Sequence, residues 1–229
     1  MRRRLCVSRT DGRPHPIVTG SMVPRADHAL PHPPMTDRYR ILLQRLDAWF
    51  ALAMERHGDV IPCRAGCTAC CHGPFDISAA DAELLREGIA LLPAKERAEV
   101  RVRGELLLTR MQELAPGWQA PWDVVDLGEE GFDRVAEALA EEPCPLLRDD
   151  GKCRVYAHRP LVCRLIGVPM LTDLGETLEN ACPIQEQFPG YPELAGVPFD
   201  YADFAAEEVA ILAATEGPET TIAAIAAEG

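Results

Sequence analysis

The chain has 229 residues, of which 47% are hydrophobic and only 6% aromatic, so an aliphatic core made by helices is favoured over a β-sandwich. Its formal net charge is −13, and acidic surfaces are repelled by nucleic-acid phosphates and by anionic membranes, so neither partner is expected. No apolar run approaches the roughly 20 residues that span a bilayer, which argues against a membrane-embedded protein.

The first 35 residues differ in composition from the rest of the chain. They contain six prolines and six arginines with almost no apolar periodicity. Such a segment buries too little surface to offset the entropy of ordering, so residues 1–35 are predicted to be a disordered tail that leaves Cys6 without a ligand role. The Arg2–Arg4 start is followed by no apolar stretch, so no signal peptide is predicted and a cytoplasmic location is expected. Met35 is an alternative start of the protein.

Helical signals dominate the rest of the sequence. Thr36 can cap a first helix, which Gly58 ends, and Ser78 with Asp81 has the form of a capping box that opens a second. Pro93 suits the first turn of a third helix, which runs to about residue 114. The remaining predicted elements are a loop over 116–128, a helix over Glu129–Glu142, a helix over Asp200–Ala214 and a weaker helix after Pro218.

These signals predict a mostly α protein. We expect a disordered tail over residues 1–35, a small irregular helical domain over 36–190 held together by a multi-cysteine metal centre, and a C-terminal helical segment over 191–229. Trp118 and Trp122 lie in the predicted loop, where they either cover the core or line a pocket.

The most informative stretch is C-x3-C-x2-C-C, which places four cysteines within nine positions: Cys63, Cys67, Cys70 and Cys71. This spacing is too tight for disulfides, because the two cysteines of a disulfide need Cα atoms roughly 4.4–6.8 Å apart and side chains that converge. Adjacent side chains point in different directions, so the Cys70–Cys71 pair does not easily serve one ion. The pattern therefore indicates two metal ions or a polynuclear cluster.

A second set of cysteines follows at long intervals: Cys144, Cys153, Cys163 and Cys182. In an intracellular protein such a pattern is more typical of metal binding or catalysis than of disulfides. Eight thiols suit two four-cysteine zinc sites, and four thiolates also suit an iron–sulfur cluster. All eight cysteines are the predicted ligands, and the choice between zinc and iron stays open.

The setting of these cysteines resembles a known family. The second set begins with C-P-x-L at Cys144 and C-x-x-Y at Cys153, and R-P-x-x-C-R follows from Arg159 to Arg164. Together with the CC-ended first set, these motifs are similar to those of the YkgJ-like cysteine-cluster family, also called CxxCxxCC, of zinc- or iron-chelating proteins. The resemblance covers about residues 63–182. It implies a zinc or iron–sulfur domain without a settled reaction, and the C-x3-C opening leaves open which sulfurs share a metal.

Charged and aromatic neighbours could support such a centre. His72 and His158 are either additional ligands or partners in local hydrogen bonds, and the cysteines suffice without them. Four arginines beside the cysteines either donate to sulfur and backbone atoms or lie solvated at the surface. They are Arg64, Arg154, Arg159 and Arg164.

An enzymatic alternative also fits part of the pattern. Radical S-adenosylmethionine enzymes hold a four-iron cluster with the spacing of Cys63, Cys67 and Cys70, but Ala69 stands where they have an aromatic residue. No alternating strand and helix pattern follows to build their barrel. Flagellin lysine methylases carry a related cysteine cluster, which makes methyl transfer or redox chemistry an analogy, so the sequence does not decide whether the chain is an enzyme.

A third interpretation makes the thiols reactive, in metal delivery or redox sensing with a protein metal donor or acceptor as partner. Nearby cations such as Lys152 lower thiol pKa values and favour exchange of metal or oxidation. The prediction that accounts for most of these motifs is a metal-binding protein with a structural, redox or metal-handling role. Its metal would close long loops and so contribute to folding.

Overall fold

Seven α-helices carry most of the regular structure in this computed structural model, which describes residues 35–178, 182–188, 190–191, 194 and 196–229. The predicted tail and Cys6 lie outside these residues, apart from Met35, where the first helix begins. The helices are α1 (Met35–His57), α2 (Ala79–Ala90), α3 (Ala94–Leu114), α4 (Gly128–Ala138), α5 (Leu161–Leu165), α6 (Tyr201–Ala214) and α7 (Ile222–Glu228). The mostly α class predicted from the sequence is confirmed.

The described residues also contain five short strands: β1 (Asp76–Ile77), β2 (Met170–Thr172), β3 (Thr177–Leu178), β4 (Val197–Phe199) and β5 (Thr220–Thr221). The antiparallel pair β1 and β5 places Ile77 opposite Thr220. The second sheet has the order β3–β2–β4, with β2 antiparallel to β3 and parallel to β4. The first pair joins the residues just after the first cysteines to the C-terminal part of the chain.

The predicted capping box at the start of α2 is confirmed, and its carboxylate also binds two other helices. The Ser78 hydroxyl accepts a hydrogen bond from the Asp81 amide at 3.1 Å. Asp81, which is 4% exposed, accepts a 2.7 Å bond from the Tyr39 hydroxyl of α1 and a 2.9 Å bond from the Leu161 amide of α5. Burial raises the pKa of the Asp81 carboxyl against the opposing effect of these hydrogen bonds. Asp81 therefore ties together α1, α2 and α5.

The first hydrophobic cluster lies between α1, α6 and the three-stranded sheet. The Trp49 indole donates to the Val197 carbonyl at 3.3 Å and lies 5.7 Å from the Phe199 ring. The buried residues that α1 contributes to this cluster follow the helical spacing predicted for that helix. They include Tyr39, Leu42, Leu43, Leu46 and Ala53.

The C-terminal helix α7 is part of the core and packs against α2 and α3. Residues 222–226 are all buried. A Cβ added to Gly104 of α3 would lie 2.6 Å from the Ala227 amide nitrogen, so the two helices meet closely there. The Ile222 amide donates to the Phe75 carbonyl at 3.1 Å and extends the β1–β5 pairing. Residues from Pro34 to Gly229 form one compact unit.

The predicted helix over Glu129–Glu142 is wrong at its end, because α4 stops at Ala138. The residue before a proline avoids helical backbone, and Pro143 pairs with His72 in an isolated antiparallel bridge. The Glu142 carbonyl accepts a bond from the Gly73 amide at 2.6 Å. Pairing with the first cysteine segment therefore draws this chain out of the helix.

The predicted loop over 116–128 holds a short 3-10 helix at Val124–Asp126. Trp118 is buried and meets Trp122 edge to face with 5.2 Å between ring centroids. Trp118 also lines a cavity of about 510 Å³, so it both covers the core and faces a pocket. None of the helices described by the structure is long and apolar enough to cross a bilayer.

Candidate metal centre

The first cysteine segment folds back on itself in short turns. The Cys67 amide donates to the Arg64 carbonyl at 3.0 Å, and the Cys71 amide donates to the Thr68 carbonyl at 2.8 Å. All four thiols are half-buried. The His72 Nδ1 lies 3.0 Å from the same Thr68 carbonyl, which is the local hydrogen bond weighed against a ligand role.

The backbone joins the second cysteine set to the first. The Cys144 amide donates to the Cys71 carbonyl at 2.9 Å, directly beside the bridge between His72 and Pro143. Two segments that are remote in sequence therefore run side by side.

A tight hairpin then carries Cys153. Leu147 and Cys153 pair in an antiparallel bridge, and Gly151 turns the chain with φ of +78°. A Cβ on Gly151 would come within 3.0 Å of the Gly66 carbonyl oxygen, so the tip of the hairpin packs on the first cysteine segment. Helix α5 supplies Cys163, whose amide donates to the Pro160 carbonyl at 3.1 Å.

Three thiols from the two sets lie close enough for their charges to interact. Burial, with the charges of Cys182, Cys70 and Cys67 adding to it, raises the pKa of the Cys63 thiol to about 12. Burial also raises the pKa of Cys182, and the charges of Cys67 and Cys70 act in the same direction. We call Cys63, Cys67 and Cys182 the outer thiol group.

Three other thiols lie close enough for their charges to interact in the same way. Burial raises the pKa of the Cys144 thiol to about 12, with Cys153 and Cys70 contributing. Burial and the charges of Cys144, Cys153 and Cys70 raise the pKa of Cys163 well above its ordinary value. We call Cys144, Cys153 and Cys163 the inner thiol group. Cys70 acts on both groups, which makes it their common member, and Cys71 packs among the hydrophobic residues beside the inner group.

The chemistry of these sulfur donors fits zinc or iron, although their side chains are not arranged as a coordination sphere. Among the residues that the structure describes, no three Cys, His, Asp or Glu side chains are arranged around a common centre as metal ligands are. Thiols that raise one another's pKa lose their protons when a cation compensates the charge. Sulfur is also the donor that zinc and iron–sulfur clusters use.

A family model named CxxCxxCC and described as "Putative zinc- or iron-chelating domain" matches residues 62–183, more than half of the chain. The chain belongs to the CxxCxxCC family. No curated protein and no solved structure shows significant similarity to it. The matched span contains all eight cysteines of the two sets, while α1, α6 and α7 lie outside it.

Two of the four arginines that lie beside the cysteines of the CxxCxxCC domain are committed to other partners. The Arg154 side chain is 7% exposed and pairs with Glu96 at 3.0 Å and Glu99 at 2.9 Å, both on α3. The Arg64 guanidinium lies over the Phe188 ring, 5.4 Å from its centroid. Arg154 therefore fastens the Cys153 hairpin to α3.

The other two arginines lie on either side of Pro160. Arg164 is buried and donates to the carbonyls of Arg159 and Ala157, both at 3.0 Å. Arg159 lies over the Tyr156 ring, 4.2 Å from its centroid. Burial raises the pKa of Cys63 in the outer group and of Cys153 in the inner group, and the charge of Arg159 partly opposes this rise in both. Arg159 is thus a cation within reach of both thiol groups.

Sequence reasoning missed two residues of the CxxCxxCC domain and its surroundings. Gly167 has φ of +107°, and a Cβ on it would overlap the Cys63 sulfur. Tyr191 is buried, and burial followed by the charges of Cys182 and Cys63 raises its pKa to about 12. A lone glycine shortly after Cys163 is the only sequence signal for the first, and no motif marks the second.

Proposed function

We propose that this chain is a metal-binding protein that holds zinc or an iron–sulfur centre and has a structural, redox or metal-handling role. In a metal-handling role, its partner is a protein that donates or accepts the metal. The proposed ligands are the eight cysteines of the two sets, which are Cys63, Cys67, Cys70, Cys71, Cys144, Cys153, Cys163 and Cys182.

The observation that carries this proposal is the 2.9 Å hydrogen bond from the Cys144 amide to the Cys71 carbonyl. It supports a shared centre because it fixes the start of the second set against the end of the first. The influence of Cys70 on thiols of both groups supports the same conclusion.

Charge balance explains why cations belong here. Buried thiols stay protonated at neutral pH, because their pKa values lie well above the ordinary value. A bound cation stabilises the thiolate form, so loading releases protons. Eight thiolates with two divalent cations would still leave four negative charges, which need nearby donors.

The metal would supply cross-links that the described fold lacks. Its ligands come from one short segment and from four distant positions, so binding would close long loops. The described strands form sheets of two and three strands rather than a barrel. The enzymatic alternative therefore has no structural observation of its own, and metal binding is the function we propose.

Anaerobic purification followed by a visible spectrum, acid-labile sulfide determination and elemental analysis tests the proposal. A brown protein with labile sulfide identifies an iron–sulfur centre, and a colourless one with about two zinc ions per chain identifies two four-thiolate sites. A full-length protein that purifies folded with no zinc or iron, and takes up neither on addition, contradicts the proposal.

A further inference from the structure

A cavity of about 240 Å³ lies between α1 and the segment that joins the Cys153 hairpin to α5. None of the eight cysteines lines it. Its walls combine two cations, one acid and two aromatic rings. They are formed by Asp47, Phe50, Ala51, Tyr156, Ala157, Arg159 and Arg164.

The two guanidinium groups of this cavity differ in how fully they are bonded. Arg164 is 5% exposed in its side chain and uses all three of its nitrogens. Nε donates to the Arg159 carbonyl and NH2 to the Ala157 carbonyl, both at 3.0 Å, while NH1 pairs with Asp47. Every nitrogen of Arg164 therefore already has a protein partner, and its side chain forms part of the wall.

Arg159 is nearly unused by comparison. Its side chain is 16% exposed, and its hydrogen bond among the described residues runs from NH2 to Asp47 at a long 3.4 Å. Its Nε is buried and has no acceptor among those residues. A desolvated donor without an acceptor is costly, so the site favours an added acceptor.

The charges of the cavity also favour an anion. Two guanidinium groups share one carboxylate, Asp47, which lies closer to Arg164 than to Arg159. The excess is positive, although the whole chain has a net charge of −13. Buried excess charge is expensive unless an opposite charge is brought to it.

The remaining walls are apolar and suit a flat group. Phe50 is half-buried, and the Tyr156 ring, which already contacts the Arg159 guanidinium, is 60% exposed. The cavity is smaller than the roughly 300–1,000 Å³ pockets that hold drug-sized molecules, so its ligand is small.

We propose that this cavity binds a small carboxylate with a flat apolar body, through the guanidinium of Arg159. A planar guanidinium pairs with a carboxylate in a two-pronged fashion, which a neutral ligand cannot reproduce. Phe50 and Tyr156 contact the body of the ligand. The site does not depend on which metal the cysteines hold, and it goes beyond the metal-binding function.

Titration of the full-length protein, purified with its metal in place, tests the site with three probes followed by calorimetry. Benzoate is expected to bind saturably. Benzyl alcohol, its neutral counterpart, is expected to show no saturable binding, and inorganic phosphate to bind more weakly because it leaves the aromatic walls uncovered. Arg159→Gln should weaken benzoate binding roughly tenfold or more, the value of one charged hydrogen bond.

A second pair of variants blocks the cavity without altering its charges. Ala51 and Ala48 are both exposed on α1, but only Ala51 lines the cavity. Ala51→Leu should abolish benzoate binding, and Ala48→Leu should leave it unchanged. The proposal is overturned if benzoate fails to bind the wild type, if phosphate binds as tightly as benzoate, or if Ala51→Leu and Arg159→Gln bind benzoate like the wild type.

Discussion

The sulfur of Cys63 lies in the space that a β-carbon on Gly167 would occupy. Gly167 adopts a φ of +107°, which residues with a side chain rarely adopt. The Cys63 thiol is thereby held against the segment that follows α5, the helix that contains the inner thiol Cys163. Gly167 consequently helps to fix the position of an outer thiol.

Gly167→Ala should therefore damage both the fold and the metal centre. Backbone strain at positive φ costs roughly 1–2 kcal/mol, and the added methyl must also displace Cys63. Gly175→Ala is the matched control, because Gly175 has φ of +79° with open space where the Cβ would lie. Chemical denaturation and metal content per chain should show strain in both variants but loss of metal only in Gly167→Ala. Equal metal content in the two would contradict a positioning role.

Removal of the metal should unfold the chain after residue 60. The proposed ligands close long loops, and the folding of such domains is coupled to metal binding. Far-ultraviolet circular dichroism before and after treatment with a chelator measures the helix lost, and restoring the metal should recover it. An unchanged spectrum after complete metal removal would show that the centre does not hold the fold together.

Cys70→Ser should lower the metal content of the whole centre. The charge of Cys70 acts on Cys63 and Cys182 in the outer group and on Cys144 and Cys163 in the inner group. Cys6→Ser removes a thiol outside the family match and is the matched control. Elemental analysis should show metal lost from Cys70→Ser and wild-type content in Cys6→Ser. Full occupancy in both would remove Cys70 from the ligand set.

Asp81→Ala should destabilise the protein by at least about 3 kcal/mol, because buried donors would lose their acceptor. These donors include the Tyr39 hydroxyl, the Leu161 amide and the Ser78 hydroxyl. Glu83→Ala, exposed on the same helix, is the control and should change the free energy of unfolding by less than about 0.5 kcal/mol. Urea denaturation compares them, and a similar small effect for both would rule out Asp81 as the tie between the helices.

Glu208 of α6 should make stability depend on pH. Burial, followed by the charge of Asp81, raises its pKa from 4.5 to about 7. The folded state then holds a proton that the unfolded state has released, so this contribution is complete below pH 4.5 and lost as pH rises through about 7. Glu208→Gln should reduce the fall in unfolding free energy between pH 5 and pH 8.

The control for Glu208 is Asp203→Asn, which changes an exposed carboxylate on the same helix. Its pH dependence should match that of the wild type. If Glu208→Gln retains the full wild-type slope in denaturation experiments at the two pH values, Glu208 is not the group responsible.

The sequence could predict those parts of the fold that depend on residues close together in the chain. Ser78 and Asp81 are three residues apart, so their capping box is legible without knowing the fold. The other partners of Asp81 are Tyr39 and Leu161, 42 and 80 residues away, and no local pattern indicates them. The two cysteine sets were predicted to be metal ligands from residue type and spacing, but the backbone bond that joins them is long-range and no local pattern indicates it.

The burial of α7 shows a second limit of sequence patterns. Residues 222–227 are alanine and isoleucine throughout, and a short run that is apolar all round has no periodicity to distinguish a core helix from a weak surface one.

Arg154 shows a third limit of sequence patterns. It neighbours a cysteine in sequence, yet its charge is satisfied by Glu96 and Glu99, more than 50 residues away on α3.

The pairing of Ile77 with Thr220 has a consequence for biosynthesis. The strand that follows the first cysteines finds its partner only after the ribosome has translated Thr220 and the helix beyond it has emerged. Until then, the cysteines of the nascent chain lack the hydrophobic packing that α7 provides beside the inner thiol group. The proposed metal centre is therefore expected to reach its final surroundings only after Thr220 and α7 have been synthesised.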